Sequence, residues 1–177
     1  MYGPGGVGKT ALLLELSRQL IDESTPVFMN VIWASAKRDY YDPIRDEVET
    51  GSPQFECLDN ILTSILEFHE MEDANEYKRD DQKWLVAECF RDKTTLLIID
   101  NFESLLSSAQ DEILHFFNLD VKRALRDKPN NFKVIVTSRE RIPTGLHQIS
   151  LKGLDRDESR ELMRHLYEPT KGRAYLS

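Results

Sequence analysis

The chain has 177 residues, of which 40% are hydrophobic and 31% charged, with a formal net charge of −8. That length suits about one domain with a real core, so residues 1–177 are read as a single unit. The acidic balance argues against general nucleic-acid affinity, and no direct contact with nucleic acid is expected.

The first element in chain order is a loop, Gly3-Pro4-Gly5-Gly6-Val7-Gly8-Lys9-Thr10. It fits the phosphate-binding pattern G-x-x-x-x-G-K-[ST] at every fixed position. Glycines let a backbone turn tightly around a polyphosphate with its N–H groups inward, and the helix that follows adds the positive end of its dipole. Lys9 is positioned to reach the β- and γ-phosphates, and the Thr10 hydroxyl to ligate Mg²⁺. Only Met1 and Tyr2 precede the loop, so the strand expected to deliver it is missing.

From Lys9 to about Asp22 the pattern is helical, with Leu12, Leu13, Leu16 and Leu20 as the apolar stripe. Pro26 ends the connection, and Val27 to Ala34 reads as a buried strand. Ser35 to Gln54 contains Pro43, Gly51 and Pro53 and reads mostly as a loop. Two helices are expected over roughly Phe55 to His69 and Asn75 to Arg91, with a solvated charged turn between them. Thr94 to Asp100 is a second apolar strand. Ser108 to Lys128 is helical with an interruption near Asn118, Pro129-Asn130-Asn131 is a turn, and Phe132 to Thr137 is a third strand. His147 to Leu151 is expected to form a short fourth strand. Asp155 caps a last helix, with Glu158 in capping-box spacing. Strands alternating with helices imply a mostly parallel sheet covered on both faces, an α/β three-layer αβα sandwich with its ligand site at the carboxyl ends of the strands.

Chemistry-bearing residues fall at those ends. Thr95-Leu96-Leu97-Ile98-Ile99-Asp100 is a strand of large aliphatics closing on a carboxylate, which is what a Walker B element needs to hold Mg²⁺ through water beside the phosphate loop. Lys133-Val134-Ile135-Val136-Thr137-Ser138-Arg139 ends in two hydroxyls and a guanidinium. Arg139 can approach a γ-phosphate and report tri- against diphosphate, or it can be a surface group paired with Glu140 or Asp100. In Val31 to Lys37 the strand is structural and Trp33 is core, with Ser35 and Lys37 as weaker candidates near the phosphates. Cys57 and Cys89 lie far apart in helical patterns, which suggests reduced, packed thiols in a cytoplasmic protein. His69, His115, His147 and His165 show no ligand spacing, so no transition-metal site is expected. The N-terminus has no signal-peptide pattern, and apolar runs such as Leu96 to Ile99 are too short to cross a membrane.

These elements, in this order, resemble the NB-ARC nucleotide-binding domain of STAND-type P-loop ATPases. Gly3 to Thr10 resembles the family's P-loop, Val31 to Lys37 its motif after the second strand, Leu96 to Asp100 its Walker B, and Val134 to Arg139 its sensor-1 segment. Ile149 to Leu154, followed by an acidic helix, is similar to the family's exit from the sheet. The resemblance implies an ATP/ADP site with Mg²⁺ in a signalling or defence switch. It also implies that the partners are other domains of a larger STAND protein, with self-association into a homo-oligomer as a further implication. The chain departs from the family in three ways. Asn101 stands where a second acid often follows the Walker B Asp, which leaves Glu103 as the nearby carboxylate able to polarise water or to start a helix; slow hydrolysis is expected. The missing first strand should leave two inner sheet edges unpaired. The family's helical and winged-helix modules have no counterpart before Ser177, so the sequence reads as a fragment. Two other readings are an AAA-like ATPase, against which Asn101 counts, and a non-catalytic interaction fragment. A GTPase is disfavoured because no Asn-Lys-x-Asp motif occurs.

Overall fold

The computed structural model describes residues 1–22, 27–37, 39–42, 47–50, 55–129, 131–142 and 146–167. Among them, helix α1 spans Lys9–Asp22 and strand β1 Asn30–Ser35. A hairpin follows, β2 (Asp39–Asp42) paired antiparallel with β3 (Glu47–Thr50). Then come α2 (Leu58–Phe68), α3 (Arg79–Asp92), β4 (Thr95–Asp100), α4 (Ser107–His115), a π-helical turn over Phe116–Asp120, α5 (Val121–Ala124), β5 (Phe132–Val136) and α6 (Arg156–Tyr167). No described helix is long and apolar enough to cross a membrane. Pro26, Pro43, Gly51, Pro53 and Asn130, all used in the sequence reading, lie outside the described residues.

The fold is mixed α/β around an open three-stranded parallel sheet in the order β1-β4-β5. β4 is central, with Leu97 opposite Ile32 on one side and Val134 on the other. Every residue of β4 is buried, and its alternation divides the core. Leu97 and Ile99 join a large cluster with Leu62 and Ile65 of α2, Phe90 of α3, Ile113 of α4 and Phe117 of the π turn. Leu96 and Ile98 join Leu13, with Leu16 and Leu20 of α1 packed alongside. Helices therefore lie on both faces, which gives the three layers that alternating strands and helices require.

Several sequence expectations need correction. The buried stripe of α1 is Leu13, Leu16, Ser17 and Leu20, in i, i+3, i+4, i+7 spacing, with the Ser17 hydroxyl donating to the Leu13 carbonyl at 2.7 Å. Leu12 lies off that stripe and is 49% exposed. The first strand starts at Asn30, not Val27, because Val27 and Met29 are exposed and only Asn30 onward pairs with β4. As an edge strand, β1 buries Ile32 and Ala34 and leaves Val31 and Trp33 half-buried. The described residues of the 35–54 segment include the paired strands β2 and β3, which the loop expectation left out; Tyr40, Tyr41 and Val48 are strand formers among them.

The expected interruption near Asn118 is the π turn. The last helix is capped as its sequence spacing requires. The amides of Asp157 and Glu158 both donate to Asp155 Oδ1 at 2.9 Å, and the Asp155 amide donates back to Glu158 Oε2 at 2.9 Å.

The sheet beyond β5 also differs from expectation. Residues 147–151 form a single bridge rather than a strand. Tyr2 lies between that segment and the end of β5, bridged in parallel to both Ser138 and Ser150. The Tyr2 amide donates to the Ile149 carbonyl at 2.9 Å, and the Leu151 amide to the Tyr2 carbonyl at 2.8 Å. On the other side the Ser138 amide donates to the Met1 carbonyl at 3.1 Å. Both inner edges are thus paired at their carboxyl ends by Met1–Gly3. Below that point they face a cleft of about 670 Å³ lined by Met1, Leu13, Leu16, Phe132, Ile135 and Ile149 among others.

Gly3 is fixed by this close approach. It is buried, and a Cβ on it would lie 2.4 Å from the Leu151 carbonyl oxygen. Gly3→Ala is therefore expected to cost about 1–3 kcal/mol in urea unfolding. Gly5→Ala, whose Cβ would meet only Arg139 at 3.7 Å, should stay within about 0.5 kcal/mol of the parent. Equal costs for the two would mean that the Tyr2 bridges do not hold in solution.

Candidate nucleotide site

The loop from Gly3 to Thr10 leads directly into α1. Gly6 and Gly8 take φ of +76° and +95°, a region that disfavours any residue with a Cβ. The first intrahelical bond is Leu12 N–H to the Gly8 carbonyl at 2.9 Å, so the amides before Leu12 have no intrahelical acceptor. Lys9 curls back over the loop, its ammonium donating to the carbonyls of Gly3 at 2.7 Å and Pro4 at 2.9 Å. Pro4, Gly5 and Gly6 are exposed and Val7 is half-buried.

Asp100 ends the central strand and is 3% exposed. A buried carboxylate needs hydrogen-bond donors, and four contacts supply them. The Thr10 hydroxyl donates at 3.0 Å to Oδ2 and 3.3 Å to Oδ1. Asn101 Nδ2 donates to Oδ2 at 3.0 Å, and the Thr137 hydroxyl makes a short bond to Oδ1. Thr137 is fully buried and also accepts from the Asn101 amide at 3.0 Å. The Thr137 amide in turn donates to the Ile99 carbonyl at 2.9 Å. The ends of β4 and β5 are thereby tied together, and the tie is anchored to the first turn of α1.

Arg139 pairs with neither Glu140 nor Asp100. Its Nε lies 3.1 Å from Oε1 of Glu103. Glu103 stands in the 3-10 turn Phe102–Ser104 that follows β4. Glu103 is the middle residue of that short turn rather than the exposed start of a helix, since α4 begins only at Ser107 and the Glu103 side chain is 19% exposed. The guanidinium passes over the Gly3–Thr10 loop, with Nε 3.7 Å and Cζ 3.8 Å from the position of a Cβ on Gly5.

Lys9, Thr10, Asp100, Glu103 and Arg139 are thus linked by loop, hydroxyl and ion-pair contacts around one sheet end. Ser35 is level with Asp100 across the strands and accepts from the Lys37 amide at 3.3 Å, whereas Lys37 itself is exposed. Trp33 is half-buried and packs against the core cluster on the α1 face. The sequence reading missed Thr137 and the amide of Asn101 as partners of Asp100. The signal was a hydroxyl immediately after a buried strand, level with a strand-end Asp.

The Thr10 hydroxyl and the Asp100 carboxylate fit an Mg²⁺ ion. The two are hard oxygen donors brought 3.0 Å apart by their hydrogen bond, of the kind that would hold Mg²⁺ directly or through water. Two protein oxygens suffice where phosphates and water supply the rest.

No protein-family model matches the chain, and no curated protein is significantly similar to it.

Proposed function

We propose that this chain is an ATP/ADP-binding nucleotide-switch module of the NB-ARC, STAND type, with a P-loop at Gly3–Thr10. The observation that carries the reading is the hydrogen bond between Thr10 of the loop and Asp100 of the central strand. A Lys-Thr pair opening a helix could arise by chance. Its threonine meeting the carboxylate that ends a buried, mainly aliphatic strand, with Arg139 across the loop mouth, is what a Mg-nucleotide site needs.

In this reading the loop amides and the Lys9 ammonium hold the phosphates, exchanging the Gly3 and Pro4 carbonyls for phosphate oxygens. Thr10 and Asp100 hold Mg²⁺, which when bound neutralises phosphate charge. Arg139 faces the γ-phosphate. Asn101 spends its amide on Asp100 and cannot take a proton from water, so Glu103 is the remaining carboxylate near the loop. Slow turnover follows, which suits a conformational switch more than a motor. Its partners are then other domains of a larger cytoplasmic signalling or defence protein.

The test is calorimetric titration of ATP, ADP and GTP with Mg²⁺ against the parent and Lys9→Ala. Loss of the Lys9 ammonium should weaken ATP at least about thirtyfold, the equivalent of roughly 2 kcal/mol for charge-assisted bonds. Indistinguishable isotherms for the two proteins would remove the proposal.

A further inference from the structure

The ion pair between Arg139 and Glu103 is asymmetric. The arginine side chain is 67% exposed and the glutamate 19%. Glu103 is also held in place. The preceding Phe102 is fully buried, and its amide donates to the Thr137 carbonyl at 2.9 Å. The Ser104 amide donates to the Asn101 carbonyl at 3.0 Å, which closes the turn around Glu103. Of the two side chains, the arginine has more open space around it and the glutamate is the more enclosed. One glutamate oxygen, Oε1, takes Arg139; the other, Oε2, is buried with no hydrogen-bond partner. A carboxylate so placed depends on Arg139 for its charge compensation.

The same guanidinium lies over Gly5, within the loop that would hold the phosphates. A γ-phosphate there is a second, stronger anion competing for one cation.

We propose that Glu103 is a specificity-determining residue that competes with the γ-phosphate for Arg139 and so sets the ATP-to-ADP preference of the site. This rests on the nucleotide-switch reading above. A triphosphate must draw Arg139 off Glu103, leaving a mostly buried carboxylate without its cation, and that cost reduces the gain from the new contact. A diphosphate does not reach Arg139 and leaves the pair intact. Glu103 therefore weakens triphosphate binding selectively, and its carboxylate is released from Arg139 only when a γ-phosphate is present.

The experiment measures affinities for Mg-ADP and for the non-hydrolysable β,γ-imido analogue of ATP. The proteins are the parent, Lys9→Ala, Glu103→Gln, Arg139→Ala and the Arg139→Ala/Glu103→Gln double variant. Glu103→Gln should tighten the triphosphate analogue about tenfold and leave ADP within twofold, since a charged hydrogen-bond competitor is removed. Arg139→Ala should weaken the analogue alone. In the Arg139→Ala background Glu103→Gln should have no further effect, because the competition needs the arginine. A purely structural role for Glu103 would move both nucleotides together. If Lys9→Ala weakens binding but Glu103→Gln leaves the triphosphate-to-diphosphate ratio unchanged, the competitor is overturned and the nucleotide site stands. If the parent and Lys9→Ala bind alike, both fall.

Discussion

Replacing Asp100 with asparagine is expected to abolish the Mg²⁺ dependence of nucleotide binding while leaving the fold in place. The carboxylate is the acceptor for Thr10, Thr137 and Asn101. An amide of the same shape can keep the bonds from Thr10 and Asn101 and reverse the one to Thr137. Its NH₂ then faces the Thr137 hydroxyl, which can turn to accept, and not the side where Thr10 and Asn101 Nδ2 both donate. The structural cost should be about 1–2 kcal/mol, that of one reversed buried hydrogen bond. If Asp100 holds Mg²⁺ as proposed, the functional cost is larger, because an anionic oxygen partner of a hard dication is lost. With Mg²⁺ present, ATP affinity should fall roughly tenfold to a hundredfold, about 1.4–2.8 kcal/mol. With excess chelator, parent and variant should bind alike. Calorimetry in both buffers, with thermal unfolding alongside, checks this. A variant that keeps the parent's Mg²⁺ response would move the cation away from Asp100.

The parts of this site that the sequence made legible are those with local rules. The Gly3–Thr10 motif has a fixed spacing, and Asp100 ends a short aliphatic run between polar segments, which reads as a buried strand. The cap of α6 is visible because Asp155 and Glu158 stand three apart at a change in polarity. The Thr137–Asp100 bond has no local rule. It exists because β4 and β5 lie side by side in parallel, with Leu97 opposite Val134, and strand adjacency is a property of the whole sheet. Arg139 posed the same difficulty: its candidate partners were sought nearby in sequence or at the Walker B position, whereas the turn at 102–104 brings Glu103 to it. The hairpin β2–β3 escaped because its turn and breaker residues suggested an irregular segment, although the short runs between them pair. Leu12 was assigned to the buried stripe because a run of three leucines leaves the helix phase ambiguous. Packing of Leu13 against Leu96 and Ile98 decides it.

Phe132→Ala is expected to remove most of the stability of the domain. The ring is 7% exposed and lies between two others, stacked on Phe90 of α3 at 4.4 Å and 17° and on Phe117 of the π turn at 5.7 Å and 27°. Phe116 meets Phe117 edge-on at 4.9 Å, which extends the row. Truncation to alanine costs about 3–5 kcal/mol at a well-packed aromatic, and two ring pairs add about 0.5–1.5 kcal/mol each, though not independently. Against a total of about 5–15 kcal/mol, the variant should be largely unfolded by mild urea. Phe132→Leu keeps most of the volume and should cost about 1–2 kcal/mol. The leucine variant is the informative one for function. Phe132 begins the strand whose far end presents Thr137 to Asp100 and Arg139 to Glu103, and helix packing through Phe90 and Phe117 fixes where that strand lies. If the strand moves as a rigid unit, Phe132→Leu should leave nucleotide affinity within about twofold of the parent despite its lower stability, since backbone pairing to β4 still sets the strand position. Urea unfolding of both variants and nucleotide titration of the leucine one separate the two roles. A cost below about 1.5 kcal/mol for Phe132→Ala would show that the aromatic row does not anchor β5.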